Sequence, residues 1–173
     1  RADPTDPLPP PVIKDLARAA PKIQAGADWF YFELKTALES KNVNKARQAI
    51  GSALEGSYVS PLETNLIYPL EQLSSANVDA EEDGWTPSLR QIVAAVDAIK
   101  ENIGGNEWKE AMASWEKARQ GANMIMTQIN NRADKPYFVL LTSDYADQRA
   151  DAYLRKKKDE LAFRNAAGTL ALR

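Results

Sequence analysis

With 173 residues, 44% of them hydrophobic and 27% charged, the chain has the balance of a globular domain, and its net charge of −2 offers no global attraction to nucleic acid or an anionic membrane. It has no cysteine and no histidine, which excludes disulfides, thiolate chemistry and any metal or acid–base site built on imidazole. No apolar run approaches the roughly 18 residues that a membrane-spanning helix needs.

The first residue is Arg1 rather than methionine, and a cleaved targeting peptide is the expected reason. Residues 1–11, RADPTDPLPPP, hold five prolines. Proline fixes φ and lacks an amide donor, so this segment reads as an extended, polyproline-like arm. Pro7, Pro9, Pro10 and Pro11 are its candidate partner-binding residues.

Helical spacing begins at Val12 and lasts to Ser40. Pro21 stands within it, as a kink or a fresh helix start. Ile23, Ala27, Phe30 with Tyr31, Leu34 and Leu38 follow at steps of three and four and mark one buried face. Trp29 and Phe32 point elsewhere, and the quartet WFYF suits core packing first and a pigment or ligand pocket second. Residues 42–55 form a second amphipathic stretch, with Asn42 or Asn44 as cap, an apolar stripe of Ala46, Ala49, Ile50, Ala53 and Leu54, and Gly56 as the stop.

The stretch SPLETNLIYPLEQL, residues 60–73, combines a helical stripe with two prolines. Ser60, Pro61 and Glu63 form a capping box, and Pro69 falls inside the stripe of Leu62, Leu66, Leu70 and Leu73. One helix from 61 to about 75, kinked near Pro69, is expected. An acidic loop, 74–85, follows. Its Asp79, Glu81, Asp83 and Gly84 imitate the opening of a calcium-binding EF-hand loop, but Pro87 and Arg90 occupy its ninth and twelfth positions, so a solvated loop is expected instead.

Thr86 and Pro87 are expected to start a helix striped by Leu89, Ile92, Val93, Val96, Ile99 and Ile103. Gly104 and Gly105 turn the corner, with Asn106 as the next cap. The following helix carries Trp108, Ala111, Met112, Trp115, Ala118, Ala122, Ile125 and Ile129 and ends near Asn131, making an antiparallel hairpin. PYFVLLT, 136–142, reads as an extended strap. A last helix, capped by Thr142 or Ser143, runs from about 143 to 165 without a coherent apolar face.

Residues 149–173 carry seven cations to three acids, a balance of +4 against −6 for the rest. Arg155, Lys156, Lys157 and Lys158 are therefore candidate partner-binding residues, suited to an acidic protein surface or anionic lipid. Nucleotide-binding glycine loops and the G-x-S-x-G elbow are absent, and no histidine exists for a di-iron bundle motif. The reading is of a non-enzyme with no catalytic, cofactor-binding or metal site.

The arm DPTDPLPPP leading into a first helix that bears DWFYFELKTALES resembles the PsbQ group of extrinsic photosystem II proteins, in a divergent or algal form, over about residues 4–131. The helical stripes and the glycine corner lead to an all-α, antiparallel up-down-up-down four-helix bundle at 12–131, and the resemblance agrees with it. The proline-rich arm, 1–11, would precede the bundle. The strap and helix, 132–173, would follow it as an extension the group does not share. The resemblance implies a non-catalytic subunit peripheral to the membrane in the chloroplast thylakoid lumen. Its partners would be protein subunits on the lumenal face of photosystem II, where it stabilises the oxygen-evolving core, and not nucleic acid. The alternatives are a lumenal assembly or repair factor, a role in a chloroplast NDH complex, or a pigment- or small-molecule-binding bundle lined by Trp29, Phe30, Phe32, Trp108 and Trp115.

Overall fold

The computed structural model describes residues 6–51 and 60–171, with side chains described as far as Gly168. Among the described residues all regular secondary structure is helical, and the chain divides into two units, residues 1–141 and 142–173.

Helix α1 (Pro10–Asp28) begins inside the segment expected to be extended. Pro10 and Pro11 occupy its first turn, where backbone N–H groups have no helical partner and a missing donor costs nothing. Pro21 neither ends nor restarts the helix. The carbonyl of Ala17, deprived of its i+4 donor, belongs to an exposed residue on a solvent-facing side of the helix, where the lost bond is least costly. The helix then widens into a π-helical turn, Trp29–Leu34, closed by Lys35 N–H donating to the Phe30 carbonyl, and resumes as α2 (Lys35–Glu39). The expected face is buried: Ile23, Ala27, Phe30, Leu34 and Leu38 are at most 1% exposed, while Trp29, Tyr31 and Phe32 are half-buried.

Asn42 caps α3 (Val43–Ile50) by accepting from Lys45 N–H at 3.0 Å. This helix stops earlier than its pattern predicts. Gly51 adopts φ +80, and a Cβ there would stand 2.2 Å from that of Ser60, so only glycine fits where the chain passes Ser60. The rest of the expected stripe, Ala53 and Leu54, and the expected stop at Gly56 lie outside the described residues.

Residues 61–76 are helical throughout, so the expected break at Pro69 takes another form. A second π-helical turn, Glu63–Ile67, precedes α4 (Tyr68–Ala76), and Pro69 is the second residue of α4, where the α-type ladder requires no N–H. Ser60 Oγ accepts from Leu62 N–H at 3.0 Å, which caps this helix. The Glu63 carboxylate meets Lys100 Nζ at 3.7 Å instead of completing a capping box. Gly26 makes the crossing possible: a Cβ on it would sit 2.6 Å from Leu66 N, so α1 lies against the backbone of the 63–67 turn.

Helices α5 (Trp85–Gly104) and α6 (Trp108–Arg132) are antiparallel neighbours. Trp85 bonds Gln128 and Gln91 bonds the Lys117 carbonyl, a register in which residue numbers rise on one helix as they fall on the other. Two expected caps are displaced. Gly84, with φ +81, takes the N-cap position of α5 two residues ahead of Thr86, so the helix already includes the fully buried Trp85. Asn106 turns the corner in the left-handed conformation (φ 56), and Glu107 takes the N-cap position. The second unit contains α7 (Tyr145–Ala171), longer than its sequence pattern predicts; Thr142 Oγ1 accepts from Asp144 N–H at 3.4 Å just before it.

Candidate functional site

The aromatic run of the first helix is organised around its π-helical turn. Phe30 and Trp115 stack with centroids 4.7 Å apart and planes 7° from parallel, and both are buried. The Trp115 indole N–H donates to the Phe30 carbonyl at 3.0 Å, so that carbonyl serves both Trp115 and the π-turn amide of Lys35. Tyr31 meets the Trp115 ring edge-on at 6.1 Å, and Lys35 Nζ lies 4.8 Å from the Tyr31 centroid and 5.3 Å from that of Trp115. The Trp29 indole N–H goes instead to the Ala49 carbonyl at 2.7 Å, which ties the turn to α3. Phe30 and Trp115 thus occupy the space between their helices with each other.

Beside this cluster, Arg119 is bidentate on Glu116, with Nε 2.8 and 2.9 Å from the two carboxylate oxygens. The hydrogen bond from Arg119 holds the Glu116 carboxyl below its ordinary value, and the Arg119 guanidinium is correspondingly raised. Arg119 also donates to the Leu141 carbonyl at 2.6 Å.

That last bond is one of a series. Residues 136–140 carry neither helix nor strand pairing, and side-chain amides supply the bonds a neighbouring strand would make. Asn130 Oδ1 accepts from the N–H groups of Tyr137 and Phe138, and its Nδ2 donates to the Phe138 carbonyl. Gln24 brackets Val139 in the same way, and Asn123 accepts from Leu141 N–H. Phe138 and Leu141 are buried beneath.

The N-terminal segment is fastened at a different point. Asp83, expected on a solvated loop, is buried and meets buried Arg132 at 2.8 Å. Arg132 Nε donates to the Asp6 carbonyl at 2.8 Å, Leu8 N–H donates to the Arg132 carbonyl at 3.4 Å, and Asn77 Nδ2 donates to Asp83 at 3.0 Å. One ion pair therefore joins the arm, the acidic loop and the end of α6. Leu8 is 2% exposed, whereas Pro7, Pro10 and Pro11 are exposed and Pro9 is half-buried. The candidate prolines are thereby displayed around an anchored leucine. Elsewhere in the loop Glu81 reaches Arg90 at 3.7 Å, so its acids face separate partners; among the described residues no three acids gather to hold a metal ion.

The basic candidates lie on α7, where Arg155, Lys156, Lys157 and Lys158 are all exposed, as are Leu154, Leu161 and Phe163. Lys157 Nζ stands 5.7 Å from the Tyr153 ring centroid. Proline and basic candidates fall in different units. A cavity of about 310 Å³ that sequence reasoning missed is lined by Asp15, Arg18 and Lys22 of α1, Thr64 of the 63–67 turn and Tyr68 and Gln72 of α4. Only the spacing of these residues on two separate helices could have announced it.

Among the described residues no helix is long and apolar enough to cross a membrane. Comparison of the chain with protein-family models, with curated proteins and with solved structures finds no match.

Proposed function

We propose that this chain is a non-catalytic accessory subunit of a photosynthetic membrane complex, a PsbQ-like extrinsic protein that binds the lumenal face of photosystem II and stabilises its oxygen-evolving core. The reading rests on one observation, the proline-led arm running into a helix that bears DWFYFELKTALES. The anchored arm supports it: Leu8 fixes the segment while Pro7, Pro10 and Pro11 face outward, a pre-ordered display that spares a docking arm part of its ordering entropy. In this reading the first unit is an antiparallel four-helix bundle. Its members are residues 10–39, 43–50 with 61–76, 85–104 and 108–132. The C-terminal extension adds a second point of attachment to protein subunits of the complex.

The test is co-sedimentation with photosystem II membranes stripped of extrinsic proteins by salt, across a salt series, with oxygen evolution recorded. Saturable, salt-sensitive binding that raises oxygen evolution is expected. Binding without gain in activity favours an assembly or repair factor, and absence of binding refutes the photosystem II reading.

A further inference from the structure

The contact between α1 and the helix over 61–76 is uneven along its length. At Gly26 the two meet backbone to backbone, since a Cβ there would stand 2.6 Å from Leu66 N. Seven residues from that crossing, about 10 Å along each axis, are Ala19 and Leu73, and both line the cavity of about 310 Å³. The floor is made of side chains too small to fill it: Ala19 carries one methyl group, and the Pro69 ring closes back on its own backbone. Tyr68, the largest side chain of the lining, stays 48% exposed.

The polar groups of the lining come from both walls. Asp15, Arg18 and Lys22 follow at steps of three and four on α1, and Thr64, Tyr68 and Gln72 at steps of four opposite. Thr64 belongs to the π-helical turn 63–67, a geometry that recurs at functional sites. Asp15 and Arg18 answer each other at 3.5 Å, whereas Lys22 has no ion-pair partner among the described residues. The lining therefore carries one uncompensated positive charge, with the Tyr68 hydroxyl and the Gln72 amide as neutral donors.

This combination selects a class of ligand. A hydrated inorganic anion would set its water against the apolar floor of Ala19, Pro69 and Leu73. A dianion brings a second charge that one lysine does not answer, and a neutral apolar molecule gains nothing from Lys22. A monoanion with an apolar body uses both surfaces. An enclosed apolar cavity of about 150 Å³ holds benzene, so this one has room for a ring, a carboxylate and its remaining water.

We propose that the cavity binds a small aromatic monocarboxylate, its carboxylate paired with Lys22 and its ring seated on Ala19, Pro69 and Leu73. The site is separate from the aromatic cluster: Trp29, Phe30, Phe32, Trp108 and Trp115 take no part in the lining. It also stands independently of docking to photosystem II.

The test is titration of the isotope-labelled full chain with benzoate, followed by nuclear magnetic resonance at the backbone amides of Ala19, Lys22, Tyr68 and Leu73. Benzamide keeps the ring without the charge, and acetate keeps the charge without the ring. Benzoate is expected to shift these signals and saturate them below about 10 mM. Benzamide, acetate, and benzoate on Lys22→Gln should each bind at least about threefold more weakly, the scale of one partly exposed ion pair for the charge-deleting arms. Ala19→Leu fills the floor and should abolish the shifts, with circular dichroism confirming retained helix. Absence of saturation in that range, a smaller loss in any of the three comparisons, or saturation that survives in a folded Ala19→Leu chain overturns the proposal. Shifts scattered over the surface instead of gathered on these residues mark adventitious association and overturn it too. Each of these failures leaves the photosystem II reading intact.

Discussion

Replacing Arg132 by methionine tests the junction that fastens the N-terminal arm. The substitution keeps much of the length of the side chain and its packing but removes the 2.8 Å pair with Asp83, the 2.8 Å bond to the Asp6 carbonyl and the 3.4 Å approach to Gln128. Asp83 would be left buried without its cationic partner, with Asn77 Nδ2 still donating to it. Stranding one partner of a buried pair costs about 3–5 kcal/mol. For a chain of this size that corresponds to a fall in Tm of roughly 6–20 °C. Urea unfolding measures the loss, and limited proteolysis near residues 6–8 should accelerate, since the side-chain clamp on Asp6 is gone. Adding Asp83→Leu to Arg132→Met removes the stranded charge and should restore much of the lost stability, which makes the double-mutant cycle strongly non-additive. A loss below about 1 kcal/mol in the single variant, or strict additivity, would refute the claim that the pair is dry and jointly holds arm, loop and α6.

Gly26→Ala places a Cβ within 2.8 Å of both the backbone and Cβ of Leu66, and should cost about 1–3 kcal/mol by denaturant titration, whereas alanine in place of glycine elsewhere in a helix is ordinarily stabilising. Trp115→Phe keeps an aromatic face for Phe30 but leaves the Phe30 carbonyl without its indole donor. A loss of about 1–3 kcal/mol is expected, with no change in helix content by circular dichroism. Glu116 titrates below its ordinary range in the folded chain. Its contribution to stability is therefore full above the unfolded carboxyl value and disappears as pH falls through the lowered folded value. The stability difference between the parent and Glu116→Gln should accordingly be largest near neutral pH and shrink on acidification; a difference that grew with acid would contradict the assignment.

Much of the helical architecture was legible because apolar spacing reports burial directly. The stripes on the first helix, on α5 and on α6 largely coincide with the buried residues from Ile23 to Leu38, Leu89 to Ile103 and Ala111 to Ile129, but Val93, expected on the α5 stripe, is 39% exposed, and Trp108 and Met112 on α6 are only half-buried. The π-helical turns were not legible: Pro69 announced that something interrupts residues 61–76, but whether a helix kinks or widens depends on what crosses it, here α1 at Gly26. The fate of Asp83 was hidden because its partner lies 49 residues away and its neighbours in sequence are solvated acids. Local composition described the solvated acids of the loop and missed its inward residues, Asn77, Ala80 and Asp83. The basic run of α7 was visible as charge, but the exposure of all four of its members required the helix to be in hand.

The amides of Gln24, Asn123 and Asn130 grasp the main chain of residues 137–141 and touch none of its side chains through hydrogen bonds. A grip on backbone atoms measures position along the chain and ignores the letters written there. Side chains of the outward residues can therefore be exchanged freely, whereas a single insertion between Tyr137 and Leu141 would shift every peptide group past its amide and release the whole segment. Such a stretch behaves as a ruler: it fixes, by counting residues, how far beyond the end of α6 each peptide group of the segment is held.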